Sequence, residues 1–258
     1  MTPILVSHDG PTLRIALNRP DVRNAFDEEV IEALAACTAR AAEDPTVRVV
    51  VLSGEGKAFC AGADLAWMSK AIAYSQVENL ADAEDFALML ERIDTLPMPV
   101  IGRVHGAILG GGVGLAAVCD IVVAGEDATF GLTEVKLGIV PAVISPYVIR
   151  KIGASAAREL FLTGGRFGAV RARELGLVHD IVPEPELDAA VDRRIAELLT
   201  SGPGAVAAAK ALIRDVAGES PKDVIGLTTS RIAAQRVSPE GQEGMRAFLQ
   251  KRKPDWVR

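Results

Sequence analysis

The sequence predicts an α/β body followed by a helical tail. Short apolar runs alternate with amphipathic stretches from about residue 4 to residue 124, which is the pattern of strands followed by helices. From about residue 202 onward every segment has helical character. A third observation fixes where strand passes to helix most sharply: an apolar run ending at Val104 feeds the cluster Gly110-Gly111-Gly112-Val113-Gly114, and a second apolar run follows.

The elements follow in order. Residues 4–7 and 13–17 form a hairpin around Asp9-Gly10-Pro11, ended by Asn18-Arg19-Pro20. Asp27 is placed to cap a helix whose apolar face holds Val30, Ile31, Leu34 and Cys37, and Asp44-Pro45 closes it. Residues 47–52 are a short strand and 53–56 a turn. The small-residue loop 59–65 leads into a helix. Residues 78–96 are a longer helix stopped by Pro97 and Pro99. A strand at 100–104, the glycine turn, a helix over 112–118 and a strand at 121–124 come next. Helices dominate beyond residue 142, around one strand at 178–182. The tail carries helices over 205–213, 221–237 and 239–251.

Composition narrows the function. Of the 258 residues 49% are apolar, ample for a large core. The net charge of −6 argues against a nucleic-acid binder but leaves phosphorylated small molecules open, because a few local cations suffice. Cys37, Cys60 and Cys119 show no metal spacing and are odd in number, which fits a reduced, cytoplasmic protein without a metal. The first residues lack a signal-peptide pattern, and no apolar run reaches the ~18 residues of a membrane span.

Two small-residue loops share one logic. Ala61-Gly62-Ala63-Asp64 and Gly110-Gly111-Gly112 each follow a strand, carry little side-chain bulk and precede a helix. If their strands lie side by side, two backbone N–H groups can meet one oxygen, as stabilising an enolate or tetrahedral oxyanion requires. Each loop taken alone is equally a plain tight turn. Gly112-Val113-Gly114-Leu115-Ala116-Ala117 also matches a dinucleotide fingerprint, but the chain lacks the regular βαβ flow such a fold needs. Glu134 stands among apolar neighbours, where poor solvation would raise its pKa toward the range useful for proton transfer. Its alternative is a surface glutamate paired with Lys136 or capping a helix.

Together these segments resemble the enoyl-CoA hydratase/isomerase (crotonase) superfamily over almost the whole chain. The similarity rests on Leu17-Asn18-Arg19-Pro20 with Asn24-Ala25-Phe26, on Phe59-Cys60-Ala61-Gly62-Ala63-Asp64-Leu65, and on His105-Gly106 with Gly110-Gly111-Gly112. It continues through Cys119-Asp120, Phe130-Gly131 with Glu134 and Leu137-Gly138-Ile139-Val140-Pro141, Leu162-Thr163-Gly164 and Gly176-Leu177-Val178. It ends at Glu243-Gly244-Met245-Arg246-Ala247-Phe248-Leu249-Gln250-Lys251-Arg252. The resemblance implies the crotonase (ClpP-like) spiral of ββα repeats over 1–200. It also implies a C-terminal helical region, 201–258, used to form a homotrimer or a dimer of trimers. The implied ligand is a coenzyme A thioester, as substrate and with no separate cofactor. The N–H groups of Ala63 and Gly111 would form the oxyanion hole. Ala61, Gly62, Asp64 and Leu65 would lie along the adenine and pantetheine path, with Arg23 and Lys57 as phosphate contacts. Phe248 and Lys251 would meet the nucleotide, of a neighbouring subunit.

One departure stands out. Hydratases of this family with two glutamates carry one acid just after the glycine turn and one in the Phe-Gly segment; here the first position is Gly114 and the second is Glu134. Glu134 then has three roles open to it: base toward water and proton donor to the α-carbon, the one proton shuttle of a Δ3,Δ2-enoyl-CoA isomerase, or a residue of an acyl-CoA-binding protein without turnover. Residues 64–68, 79–84, 111–115 and 141–147 look like the bacterial methylglutaconyl-CoA hydratases of leucine breakdown. That implies a branched or carboxylated 2-enoyl-CoA, with Lys70 one candidate for its far carboxylate, though a lysine on such a helix is more often simply solvated. Trp67, Met68 and Tyr74 are candidates for an acyl pocket or ordinary core, and Glu84 and Asp85 for a substitute acid. His105, Asp120, Cys60 and Cys119 read as structural.

Overall fold

The computed structural model describes residues 2–257. Its main sheet begins with the expected hairpin, strands β1 (Ile4–Asp9) and β2 (Thr12–Leu17), paired antiparallel with Ile4 opposite Leu17. Strands β3 (Val49–Gly54), β4 (Val100–Val104), β6 (Ile121–Gly125) and β9 (Asp180–Val182) add in parallel, giving the order β1-β2-β3-β4-β6-β9. A second, smaller sheet holds β5 (Ala107–Leu109), β7 (Thr129–Gly131) and β8 (Arg166–Gly168). The sequence did not announce these three-residue strands, because they are too short to show a period of two. What makes them strands is pairing across long separations, Ala107 with Thr129 and Thr129 with Gly168.

The two sheets explain the repeat. A strand runs in the main sheet, the chain crosses to the second layer, and a helix returns it. Val104 leaves the main sheet, Gly106 turns at φ +59°, and Ala107 enters the second sheet. The stretch after β3 does the same: Cys60 bridges Ile108 in parallel and Ala63 bridges Phe26. Helix α1 (Glu28–Glu43) starts where Asp27 accepts from Val30 N at 3.0 Å, as expected. Helices α2 (Leu65–Ala73) and α3 (Gln76–Thr95) follow the 60–64 loop. Helix α4 (Gly111–Ala117) follows the glycine turn, and α5 (Ser145–Thr163) follows a 3-10 turn at Glu134–Leu137.

Strand alternation sorts the core into two faces. Val50 and Leu52 face the larger cluster with Leu34, Met89, Leu115 and Phe130. Val49 and Val51 point the other way, onto Leu187, Val191 and Ile195 of α7 (Leu187–Leu199); α6 (Ala169–Glu174) lies between β8 and β9 in the chain. The tail helices α8 (Pro203–Val216), α9 (Ile225–Val237) and α10 (Pro239–Leu249) start or end a few residues from their expected bounds. Side chains pin them to the body: Lys210 Nζ reaches Asp120 Oδ2 at 2.6 Å, and Arg48 donates to the carbonyls of Leu199, Ser201 and Trp256. No helix among the described residues is long and apolar enough to cross a membrane.

Candidate active site

The site forms where the 60–64 loop lies beside the glycine turn. Cys60 N donates to Ala107 O at 3.2 Å, and Leu109 N donates to Cys60 O at 3.0 Å. Gly62, at φ +97°, approaches so closely that a Cβ there would stand 3.1 Å from Leu109 O. Gly110, at φ +50°, sits against it: a Cβ there would be 3.9 Å from Gly62 Cα. Gly62 is favoured by both conformation and the close backbone, Gly110 by its conformation.

Each segment presents an unpaired amide. Phe26 uses both its main-chain groups on the loop, donating to Gly62 O and accepting from Asp64 N, each at 2.8 Å. Ala63 lies between them in the parallel bridge, so its own N–H points to the opposite edge. Among the described residues that N–H has no acceptor. Gly111 is the first residue of α4, and its N–H likewise has no intrahelical partner. Phe26 ties the two together, because its ring lies 3.2 Å from where a Gly111 Cβ would be.

The Asn-Arg-Pro…Asn-Ala-Phe stretch holds the loop in place. Arg19 Nη2 reaches Asp64 Oδ2 at 3.0 Å and Asp27 Oδ2 at 2.9 Å, while Nη1 donates to Ala25 O. Asn24 is buried, donates to the carbonyls of Glu55 and Ala58 and accepts from Arg19 N. Asp64 caps α2 by accepting from Ala66 N and Trp67 N. Burial pushes the Asp64 pKa up, but these amides and Arg19 outweigh it and hold the group below its ordinary value. The Asp64 carboxylate is thus committed to structure, and what Asp64 can offer a ligand is main chain.

Glu134 stands over the glycine turn. Its Oε1 is 3.2 Å from the position of a Gly110 Cβ. Its Oε2 is buried without a hydrogen-bond partner among the described residues. Burial pushes its pKa above the ordinary carboxylate value, a backbone hydrogen bond opposes this in part, and no charged neighbour contributes. Lys136 has no influence on its charge among the described residues, so the surface-pair alternative does not hold.

The first turn of α4 carries hardly any side chains, and three distant elements cover it. Glu134 lies over Gly110, and Phe86 of α3 is 3.1 Å from a Gly111 Cβ position. Ile144, preceding α5, is 2.2 Å from a Gly114 Cβ position. Gly112 backs onto Cys60 O. Phe86 and Ile144 escaped sequence reasoning. The available signal was indirect: a close-packed interior cannot leave a glycine-built turn empty, so other segments must fill it.

Other expected residues take these places. Arg23 is exposed at φ +54°, and its carbonyl accepts from Ala61 N, which sets it beside the loop. Ala61 is half-buried, Gly62 buried and Leu65 exposed. Lys57 is exposed at the far end of the same stretch. Phe248, at the end of α10, is 83% exposed, so nothing in its own chain covers its ring. Lys251 follows at φ +55°. Lys70 is exposed and pairs with Glu28 at 3.0 Å on the surface. Glu84 and Asp85 are exposed. Trp67 is half-buried and donates its indole N–H to Asp82. His105 is buried with Nε2 on Gly56 O, and Asp120 accepts from Val100 N, both structural as expected. Burial pushes the Cys60 and Cys119 thiols up to about 12, which leaves them as packing residues. No group of three or more His, Cys, Asp or Glu among the described residues could hold a metal.

The two-layered arrangement of short strands and helices is that of crotonase-fold proteins. Residues 10–258 match the enoyl-CoA hydratase/isomerase family model, and the chain belongs to that family of enzymes. An enoyl-CoA hydratase structure from Shewanella pealeana superposes with a TM-score of 0.95 at 41% identity, covering 98% of this chain and 96% of that one. Pseudomonas aeruginosa AtuE superposes at 0.96 with 38% identity, covering 99% and 100%. The 2,3-dehydroadipyl-CoA hydratase of Escherichia coli is 33% identical over 258 residues, covering 99% of each.

Proposed function

We propose that this chain is a hydratase adding water to a branched or carboxylated 2-enoyl-CoA, such as 3-methylglutaconyl-CoA. The amides of Ala63 and Gly111 hold the thioester oxygen. Glu134 takes a proton from water as the water oxygen bonds to C3. The double-bond electrons move toward the carbonyl, and the enolate oxygen rests on the two amides. Glu134 then returns the proton to C2, so water is added overall. The observation that carries this is the Glu134 carboxylate, part-buried, with one oxygen unpartnered and the other set against the turn. A relative named for 2,3-dehydroadipyl-CoA, itself a carboxylated enoyl-CoA, supports that substrate class.

Arg23 and Lys57 contact the phosphates, and the main chain of Ala61, Gly62, Asp64 and Leu65 lines the adenine and pantetheine path. Phe248 and Lys251 meet the nucleotide of a neighbouring subunit in a homotrimer or dimer of trimers formed through 201–258. The protein works in the cytoplasm on its substrate with no separate cofactor or metal. The lone acid equally suits a Δ3,Δ2-enoyl-CoA isomerase, in which one base moves one proton. Glu134→Gln, assayed with crotonyl-CoA, 3-methylglutaconyl-CoA and a 3-enoyl-CoA, tests both. We expect a loss of about 10²–10⁴-fold. Activity within threefold of the parent on every substrate removes Glu134 from the chemistry. Conversion of the 3-enoyl-CoA without hydration selects the isomerase, and tight thioester binding without turnover in the parent selects a non-catalytic binder.

A further inference from the structure

Gly110 and Gly114 are stacked one turn apart, and Gly114 N donates to Gly110 O at 3.3 Å. Glu134 covers the first of them. Position 114 therefore lies about 6 Å further along α4 than the glycine that Glu134 covers. The space a side chain there would need is taken. A Cβ at 114 would meet Ile144 Cγ2 at 2.2 Å and Ile144 Cβ at 2.8 Å, while Ile144 Cα lies at 3.8 Å, ordinary contact. Ile144 itself is fixed: it is 2% exposed, and its carbonyl accepts from Val148 N as α5 begins.

We propose that Ile144 is a positioning residue that makes this a one-carboxylate site. Its side chain occupies the space a second acid at 114 would need. Gly114 and Ile144 are then one coupled choice made by two segments 30 residues apart, rather than a lost acid and an unrelated loop change. The consequence for chemistry rests on the role given to Glu134 above. With position 114 closed, Glu134 handles both proton movements. With it open, a second carboxylate shares them.

These distances set a graded test. Alanine at 144 still leaves a Cβ 2.8 Å from a Cβ at 114, whereas glycine leaves only the Cα at 3.8 Å. Alanine is the better helix former, so an uncrowded Gly114→Ala would raise Tm. We expect G114A to lower Tm in the parent, to lower it less beside I144A, and to raise it beside I144G. Glycine is tolerated at the position preceding a helix, which favours folding of the I144G chain; should it fail to fold, the parent and I144A backgrounds decide. The second arm compares I144G with I144G/G114E. Two neighbouring carboxylates raise the pKa of one of them. We expect the acid limb of kcat/KM to move to higher pH and hydration to gain at least about tenfold on isomerisation. A G114A effect that is equal in all backgrounds overturns the steric role. Superimposable pH profiles in the second arm overturn the chemical role. E134Q run beside them separates the causes: if it keeps parent activity, the role of Glu134 fails while the Tm cycle still stands.

Discussion

Glu134→Gln should make the protein more stable while making it slower. The carboxylate is partly buried, one oxygen has no partner, and no charged neighbour contributes to its raised pKa. An unpartnered buried polar group costs roughly 1–3 kcal/mol and more when charged; glutamine stays polar, so only the charge's share of the cost is relieved. Replacing the charge by a neutral amide should recover about 1 kcal/mol, or about 2–4 °C in Tm for a chain of this size. The sign with pH follows from linkage. Burial raises the folded-state pKa above the ordinary 4.5. Between those two values the folded state holds the extra proton, so the parent loses stability as pH rises through the window. The advantage of E134Q is therefore full above the raised pKa and absent below pH 4.5. Thermal unfolding of both proteins between pH 4 and 8 measures it. A variant less stable at pH 7.5, or one whose advantage does not change with pH, refutes the desolvation account of this acid.

Gly110→Ala should lose about 1–3 kcal/mol from the strained φ of +50°, and about 10²-fold in kcat as the new methyl displaces Glu134; urea titration and steady-state kinetics check the two. Asp64→Ala removes the α2 cap and one Arg19 partner, for a loss of about 2 kcal/mol. Because its folded pKa is depressed, the gap to the parent should hold at neutral pH and close as pH falls below 3.8. Lys70→Ala should leave Tm and turnover unchanged within error, since its pair with Glu28 is exposed; a selective loss on carboxylated thioesters would return Lys70 to the substrate.

What the sequence made legible was local. The Asp27 cap, the hairpin at Gly10 and the apolar runs of the main sheet are written within a few residues of where they act. Glu134 and the two small-residue loops were legible because each breaks its surroundings: a charge among apolar residues, glycines between a strand and a helix. The second sheet was not, since Ala107, Thr129 and Gly168 become a ladder only once the chain has folded back. Phe86 and Ile144 were hidden for the same reason. Each looks like ordinary core in its own segment, and its meaning comes from a glycine far away that it covers. The partner of Lys70 was not legible either, because charge alone does not say which neighbour claims it.

The nearly bare opening turn of α4 separates two jobs. In the function proposed above, the donors that grip an oxygen belong to the backbone, whereas the side chains around them arrive from α3, the 3-10 turn and the residue before α5. Drift in those three visiting segments can therefore retune acidity, bulk and wetness around a bound acyl group without disturbing the grip itself. A scaffold divided in this way can take on new chemistries through single exchanges on its periphery.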